Sequence, residues 1–330
     1  MISETSFFER MPRIGLGCMG MSEFYGACDD NQSLAALHRA YDIGYRHFDT
    51  ADMYGSGHNE RLLGRFLADI GSRREGVLIA SKTGITRDPM NKFRLVLNGR
   101  PEYIRDACEA SLRRLGIEQI DLYYLHRQDP NVPLAESVGA LGDLVRQGKI
   151  AAIGLCEVSA STLETANTEY PISAVQSEYS LWSREIEQDV GNACGRLGIP
   201  LVAFSPLGRG ILSGTLSKQF ISSLDPAEDL RANLPRFQDE HLDANLLLVE
   251  RLRSIAEQLE LECAQVALAW IFSKGGQHIR AIPSSTSSRH LICNFAAGTL
   301  MLPEWALVEI EAVFAPSAIS GARYPVSLRS

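Results

Sequence analysis

Gly44-Tyr45-Arg46-His47-Phe48-Asp49-Thr50-Ala51-Asp52-Met53-Tyr54-Gly55 is the stretch on which the fold of this 330-residue chain turns. Its short β-prone run, Tyr45 to Phe48, stops at Asp49 and Thr50, and a polar loop then carries Tyr54 ahead of Gly55 and Gly57. An acid at a strand end and a phenol in the next loop can face one pocket. Downstream the arrangement repeats: apolar Val77–Ala80 runs into Ser81-Lys82, and Ile120–Leu125 runs into His126-Arg127. Three successive strands therefore carry an Asp, a Lys and a His at their C-terminal ends, where active sites gather in parallel α/β barrels.

Outward from these strands, helix and strand patterns alternate. Helical spacing covers Ser33–Ile43, Asn59–Leu67, Leu134–Gln147 and Pro101–Leu115, the last opened by a favourable N1 proline. Further strand patterns fall at Arg13–Met19, Ile150–Leu155, Ile172–Gln176, Pro200–Ser205 and His278–Pro283. Such alternation predicts a parallel sheet with right-handed crossovers. Counted to eight strands, it predicts the α/β class and a closed (β/α)8 TIM barrel, with residues 1–330 as one domain. Gly208 to about Asp243, after the seventh strand, is a long polar insertion expected to be a lid or a cofactor clasp. A C-terminal helix is expected at Pro303–Phe314, followed by an irregular tail. Gly15-Leu16-Gly17-Cys18-Met19-Gly20 fits a dinucleotide-binding spacing, yet a loop follows where that motif needs a helix. Its glycines fit close backbone approach at a strand end better.

Composition narrows the function classes. At 45% hydrophobic residues the chain can bury a large core. No apolar run approaches the roughly 20 residues of a membrane span, and the N-terminus lacks the basic start and apolar run of a signal peptide. A cytoplasmic protein without a membrane partner is expected. Seven cysteines without CxxC or Cys/His spacing fit a reducing compartment and no metal site. A net charge of −8 argues against a nucleic-acid partner.

The strand-end residues have a chemistry in common. A phenol, with an ordinary pKa of about 10, becomes a better acid beside an ammonium. Asp49 would hold Lys82 and keep it charged, Lys82 would lower the pKa of Tyr54, and His126 could donate to the same substrate oxygen. Such an acid suits a carbonyl becoming an alkoxide as hydride arrives from a nicotinamide. HFDTADMYG, IASK and YYLHR together strongly resemble the aldo-keto reductases, over nearly the whole chain and most closely the bacterial and plant members carrying SPLGRG. The resemblance implies reversible reduction of an aldehyde or ketone, with Asp49, Tyr54, Lys82 and His126 as the catalytic tetrad and Tyr54 as proton donor.

It also implies a cofactor path, with NADPH favoured and NADH possible. Gly17, Cys18 and Met19 would lie beside the nicotinamide, with Cys156 after the fifth strand. The Gln176 amide could bond the carboxamide, and Phe204 offers the ring a flat face. Ser205, Leu207, Arg209 and Gly210 would supply backbone N–H groups and a cation to the pyrophosphate. Ser284, Ser285, Thr286 and Arg289 would hold the adenosine 2′-phosphate, with Asn294 beyond them. Three departures from the family pattern stand out. Cys156-Glu157 replaces a Ser-Asn pair, Pro283-Ser284-Ser285 replaces Pro-Gly-Thr, and Cys293 replaces a Glu.

Phe24, Tyr25, Phe93 and Trp182, from loops at the strand ends, are candidates for an apolar or aromatic substrate wall. Two other functions fit the same barrel. One is a Schiff-base aldolase or isomerase using Lys82 as nucleophile; the other is a non-catalytic nucleotide-binding regulatory subunit. Neither the substrate nor the oligomeric state is written in the sequence.

Overall fold

The computed structural model describes residues 11–88, 90, 93–275 and 278–325. Eight parallel strands follow one another around a ring: β1 (Leu16–Gly17), β2 (His47–Asp49), β3 (Leu78–Thr83), β4 (Leu122–Leu125), β5 (Ile153–Cys156), β6 (Ala174–Glu178), β7 (Leu201–Phe204) and β8 (Ile279–Ala281). Ile14 pairs in parallel with Ala281, and Gly15 N–H donates to the Ala281 carbonyl at 2.9 Å, so the sheet closes. The expected (β/α)8 barrel is what the chain forms.

Helices cover the outside between the strands. The first four are α1 (Asp30–Ile43), α2 (His58–Ile70), α3 (Pro101–Leu115) and α4 (Leu134–Arg146). Asp29 caps α1 by accepting from Gln32 N–H at 2.8 Å, and Pro101 opens α3. Their apolar faces join the outward strand residues in one core, which includes Leu37, Phe66, Leu112 and Leu141. A smaller core fills the barrel itself with Leu78, Ala80, Leu122, Tyr124, Ala174 and Val202, alternate residues of neighbouring strands.

The glycine motif near the N-terminus is a packing device. A Cβ on Gly17 would sit 2.7 Å from the Ile282 carbonyl, and one on Gly15 would sit 2.6 Å from the His47 ring. The chain then enters a three-residue 3₁₀ turn, Met19–Met21, where a dinucleotide motif would open a helix.

Two features extend the expected plan. After β3 an antiparallel ribbon pairs Ile85–Arg87 with Leu95–Leu97, an element the strand patterns do not announce. The insertion after β7 is a chain of short turns, Gly208–Ser213, Lys218–Ser222, Leu230–Asn233 and Pro235–Phe237, and it ends where a long helix, Asp239–Gln258, begins. Leu230 N–H donates to the Phe24 carbonyl at 3.0 Å, so the insertion docks on the loop after β1 at the barrel mouth.

Close packing of α2 on α3 supplies a stability test. A Cβ on Gly64 would meet the Arg114 carbonyl at 2.5 Å, backbone against backbone, whereas one on Gly139 in α4 meets nothing within 4 Å. Gly64→Ala is expected to destabilise by about 1–3 kcal/mol as an overpacking change, and Gly139→Ala to stabilise by up to about 1 kcal/mol through helix propensity. Chemical denaturation of both variants checks the opposite signs.

Candidate active site

Strand parity builds the site. In the barrel register Lys82 stands opposite Tyr124, Tyr124 opposite Gly154, and Cys156 opposite Gln176. Residues two apart share a face, so Ala80 and Lys82, Leu122 and Tyr124, Gly154 and Cys156, and Ala174 and Gln176 all point inward. The inward row ends at the C-terminal mouth in Asp49, Lys82, His126, Cys156, Gln176 and Phe204.

At its centre lies a buried ion pair. Lys82, fully buried, gives its ammonium to Asp49 Oδ1 and to the Thr50 carbonyl at 2.8 Å. Gln176 Nε2 donates to the other oxygen of Asp49 at 2.7 Å. Burial alone would lower the pKa of Lys82, but the Asp49 carboxylate more than reverses it and holds the lysine charged, well above its ordinary range. The Lys82 Nζ lies 5.2 Å from the centre of the Tyr54 ring, and the His126 ring meets Tyr54 edge-on at 6.0 Å between centroids.

At Tyr54 the expected lowering by Lys82 is present but meets a larger opposing effect. Burial pushes its phenol up to about 12, and Lys82 opposes that rise without overcoming it. Tyr54 is therefore a protonated phenol at neutral pH. His126 is pushed well below its ordinary value, by burial first and then by Lys82 and Arg127, so its ring is neutral. A neutral imidazole keeps one N–H to donate.

Asp49, Tyr54 and His126, with Lys82 buried behind them, floor a cavity of about 770 Å³, within the usual range for small-molecule sites. Of the expected cofactor residues, its wall includes Gly17, Cys18, Met19, Cys156, Gln176, Phe204, Ser205, Leu207, Arg209, Gly210, Ser284, Ser285 and Thr286. Phe24, Tyr25 and Phe93 line it too, with the Phe24 and Phe93 rings 5.8 Å apart. Three expected residues lie elsewhere. Trp182 is a core side chain packed edge-on against Phe237 at 5.6 Å, because the insertion after β7 covers it. Arg289 points to the exterior and pairs with Glu262 at 2.6 Å. Asn294 is buried in the helix Ser288–Ala296, away from the wall. Two lining residues also differ in their contacts: Gln176 braces Asp49, and the Arg209 guanidinium bonds Tyr324 Oη at 2.7 Å and Glu178 at 3.4 Å.

A model of the Aldo/keto reductase family matches residues 13–314. The chain belongs to the aldo/keto reductase family. A probable aldo-keto reductase 1 from Glycine max is 39% identical over 321 residues, covering 97% of this chain and 90% of that protein. Among solved structures, a glycerol dehydrogenase from Gluconobacter oxydans superposes with a TM-score of 0.82 at 27% identity, covering 95% of each chain. An aldo-keto reductase from Klebsiella pneumoniae, solved in complex with NADPH, gives 0.70 at 27% identity, covering 93% of this chain and 92% of that one. This is a family of oxidoreductases acting on carbonyl and alcohol groups.

Several wall residues of this aldo/keto reductase carry no local sequence signal. Arg323 and Tyr324 reach the cavity from the C-terminal tail, where Arg323 bridges Glu157 and Glu178. Ile85 and Leu95 come from the ribbon after β3, and Leu230 and Arg231 from the insertion. Glu157, beside Cys156, has a left-handed φ of 52° and accepts from Glu178 N–H at 2.8 Å. The parity of Glu178 with Gln176 could have placed it at the mouth.

Between Asp49 and Tyr54, Asp52 anchors the loop by donating its backbone N–H to the Lys82 carbonyl at 3.1 Å. Its Oδ2 accepts from Tyr103 Oη at 3.3 Å, while buried Oδ1 has no partner among the described residues. Burial, then nearby Glu60, raises its pKa from 3.8 to about 7. A folded chain that holds this proton more tightly than the unfolded one loses stability as pH rises through that window, and the loss stays complete above it. Asp52→Asn does not titrate, so its Tm relative to wild type should climb between pH 4 and 7 and then level off. A pH-independent difference in scanning fluorimetry would exclude this role.

Proposed function

We propose that this protein reduces an aldehyde or ketone to the alcohol, reversibly and with NADPH, using Tyr54 as proton donor. The observation that carries this reading is the buried Lys82–Asp49 pair set against the Tyr54 ring, with His126 beside it on the floor of one cavity. Family membership and the NADPH complex of the Klebsiella relative support it.

The cavity fits a nicotinamide dinucleotide on several counts. Ser205, Gly208, Arg209 and Gly210 all have positive φ, 46°, 54°, 58° and 97°, a tight turn closed by the Gly208 and Gly210 N–H groups on the Ser205 and Leu207 carbonyls, which brings the Ser205 hydroxyl and the Arg209 guanidinium to the wall. Across the mouth, Ser284, Ser285 and Thr286 line the wall just before the helix Ser288–Ala296, whose N-terminus adds a favourable dipole. Half-buried Phe204 offers a ring face between these two groups of donors. When bound, NADPH supplies the hydride.

The chain's own residues manage the proton. A carbonyl oxygen seated between Tyr54 and His126 can accept from both, and the imidazole N–H holds the developing charge. Tyr54 then gives its proton to the nascent alkoxide, a far stronger base than a phenolate. Lys82 steadies the phenolate left behind, and Asp49 with Gln176 keeps Lys82 in place. A Schiff base at Lys82 would need a neutral amine, which the Asp49 contact disfavours.

Reduction uses protonated Tyr54 and alcohol oxidation uses its phenolate. With the phenol near 12, reduction should stay flat from about pH 6 to 9 while oxidation climbs with pH. Tyr54→Phe should lower kcat by about 10²–10⁴-fold, with the Kd for NADPH, read by fluorescence quenching, near the wild-type value. Retention of most of kcat, or trapping of Lys82 by borohydride with the aldehyde, would remove the assignment.

A further inference from the structure

Four guanidinium groups line the cavity, and three are neutralised. Arg209 faces Glu178, Arg323 bridges Glu157 and Glu178, and Arg231 grips Asp229 through two bonds of 2.9 and 2.7 Å. Lys82 beneath them has Asp49. Arg127 differs. Among the described residues its side chain makes one hydrogen bond, from Nη1 to the His126 carbonyl at 2.7 Å, and no carboxylate lies within ion-pair distance.

We propose that Arg127 is an anion subsite of the carbonyl pocket, so that this enzyme prefers aldehydes or ketones that carry a carboxylate on an apolar or aromatic body. The proposal rests on the reading of Tyr54 and His126 as the groups that receive the carbonyl.

Three observations support it. The first is energetic: a half-buried guanidinium lining a cavity has lost part of its hydration, and a planar fork with unused N–H groups is suited to a carboxylate, bidentately. The bond to the His126 carbonyl fixes one arm of the fork and leaves the other nitrogens free to donate. The second is position. Arg127 follows His126 at the end of β4, four strands around the closed ring from β8, so it stands opposite the serine turn Ser284–Thr286. An anion at Arg127 is thus separate from a phosphate held at that turn. The third is the neighbouring wall: Phe24, Met53, Ile85, Phe93 and Leu95 come from the loops after β1, β2 and β3, on the side adjoining β4. An apolar body there would extend from the Tyr54 hydroxyl past His126 to Arg127.

The test compares 4-carboxybenzaldehyde and 3-carboxybenzaldehyde with their methyl esters in the NADPH-dependent reduction. For at least one acid, kcat/KM should exceed that of its ester by about tenfold or more, mainly through KM, as one charge-assisted pair allows. Arg127→Met should cut this acid-to-ester ratio by about tenfold, Arg127→Lys should restore part of it, and the Kd for NADPH should stay within about twofold of wild type. Without any variant, benzoate should compete with benzaldehyde at much lower concentration than benzamide does. Equal handling of acid and ester by the wild type, equal inhibition by benzoate and benzamide, or a raised NADPH Kd in Arg127→Met with the ratio intact would overturn the proposal. Failure to reduce any of these aldehydes would instead overturn the reductase reading beneath it.

Discussion

The whole mouth of the barrel depends on one buried contact, the ammonium of Lys82 against the carboxylate of Asp49. Removing two charges from water costs several kcal/mol for each ion, so the pair persists only where its remaining valences are filled. Here they are. Asp49 takes Lys82 on one oxygen and Gln176 on the other, and Lys82 also donates to the Thr50 carbonyl. An ammonium has three donors; these contacts engage two, and the Tyr54 ring stands next to the Nζ, its centre 5.2 Å away. Three strands and the loop that bears the phenol are thereby tied to one charge centre.

Most of this centre is legible in the sequence because strand periodicity is a short-range signal. Asp49, Lys82 and His126 each end an apolar β run, and parallel register does the rest, bringing residues far apart in the chain to one inward row. What the sequence hides is either long-range or electrostatic. Trp182 follows β6 in a loop and reads as a pocket aromatic, but Arg236 and Phe237, contributed by the later insertion, close over it. Arg289 follows the serine turn and reads as a phosphate ligand, yet Glu262 draws it to the exterior. The ribbon Ile85–Arg87 with Leu95–Leu97 is short and half-exposed, so it lacks a long alternating pattern. The sign at Tyr54 is hidden for a different reason: a nearby cation lowers a phenol's pKa and burial raises it, and only depth in the fold decides which effect is larger.

The rim shows how the late parts of the chain are recruited to the early ones. Glu178 ends β6 nearly inaccessible to solvent. Burial alone would favour its neutral form, but Arg209 and then Arg323 overcome that and hold its carboxyl below the usual range. Arg209 belongs to the turn after β7, and Arg323 to the tail. Because Glu157 and Glu178 would be costly to bury alone, the tail's guanidinium is needed by the barrel as much as the barrel is needed by the tail. That mutual requirement places Tyr324 beside Arg209 and makes the chain's last described segment part of the cavity wall.

Charge compensation at the rim also sets which ligand charges the pocket can read. The chain as a whole carries −8, and at long range this disfavours anions. In physiological salt, however, exposed charges are screened beyond about 8 Å, so a bound molecule feels mainly the groups in the wall. Of its acids, Glu157 is spent on Arg323 and Asp49 on Lys82, and behind the wall Glu178 and Asp229 are each spent on a guanidinium. The local balance in the inner pocket is therefore positive at Arg127 although the protein is acidic overall. Discrimination between ligand charges follows from this pairing pattern and not from net charge, since any acid left unpaired on the wall would have cancelled it.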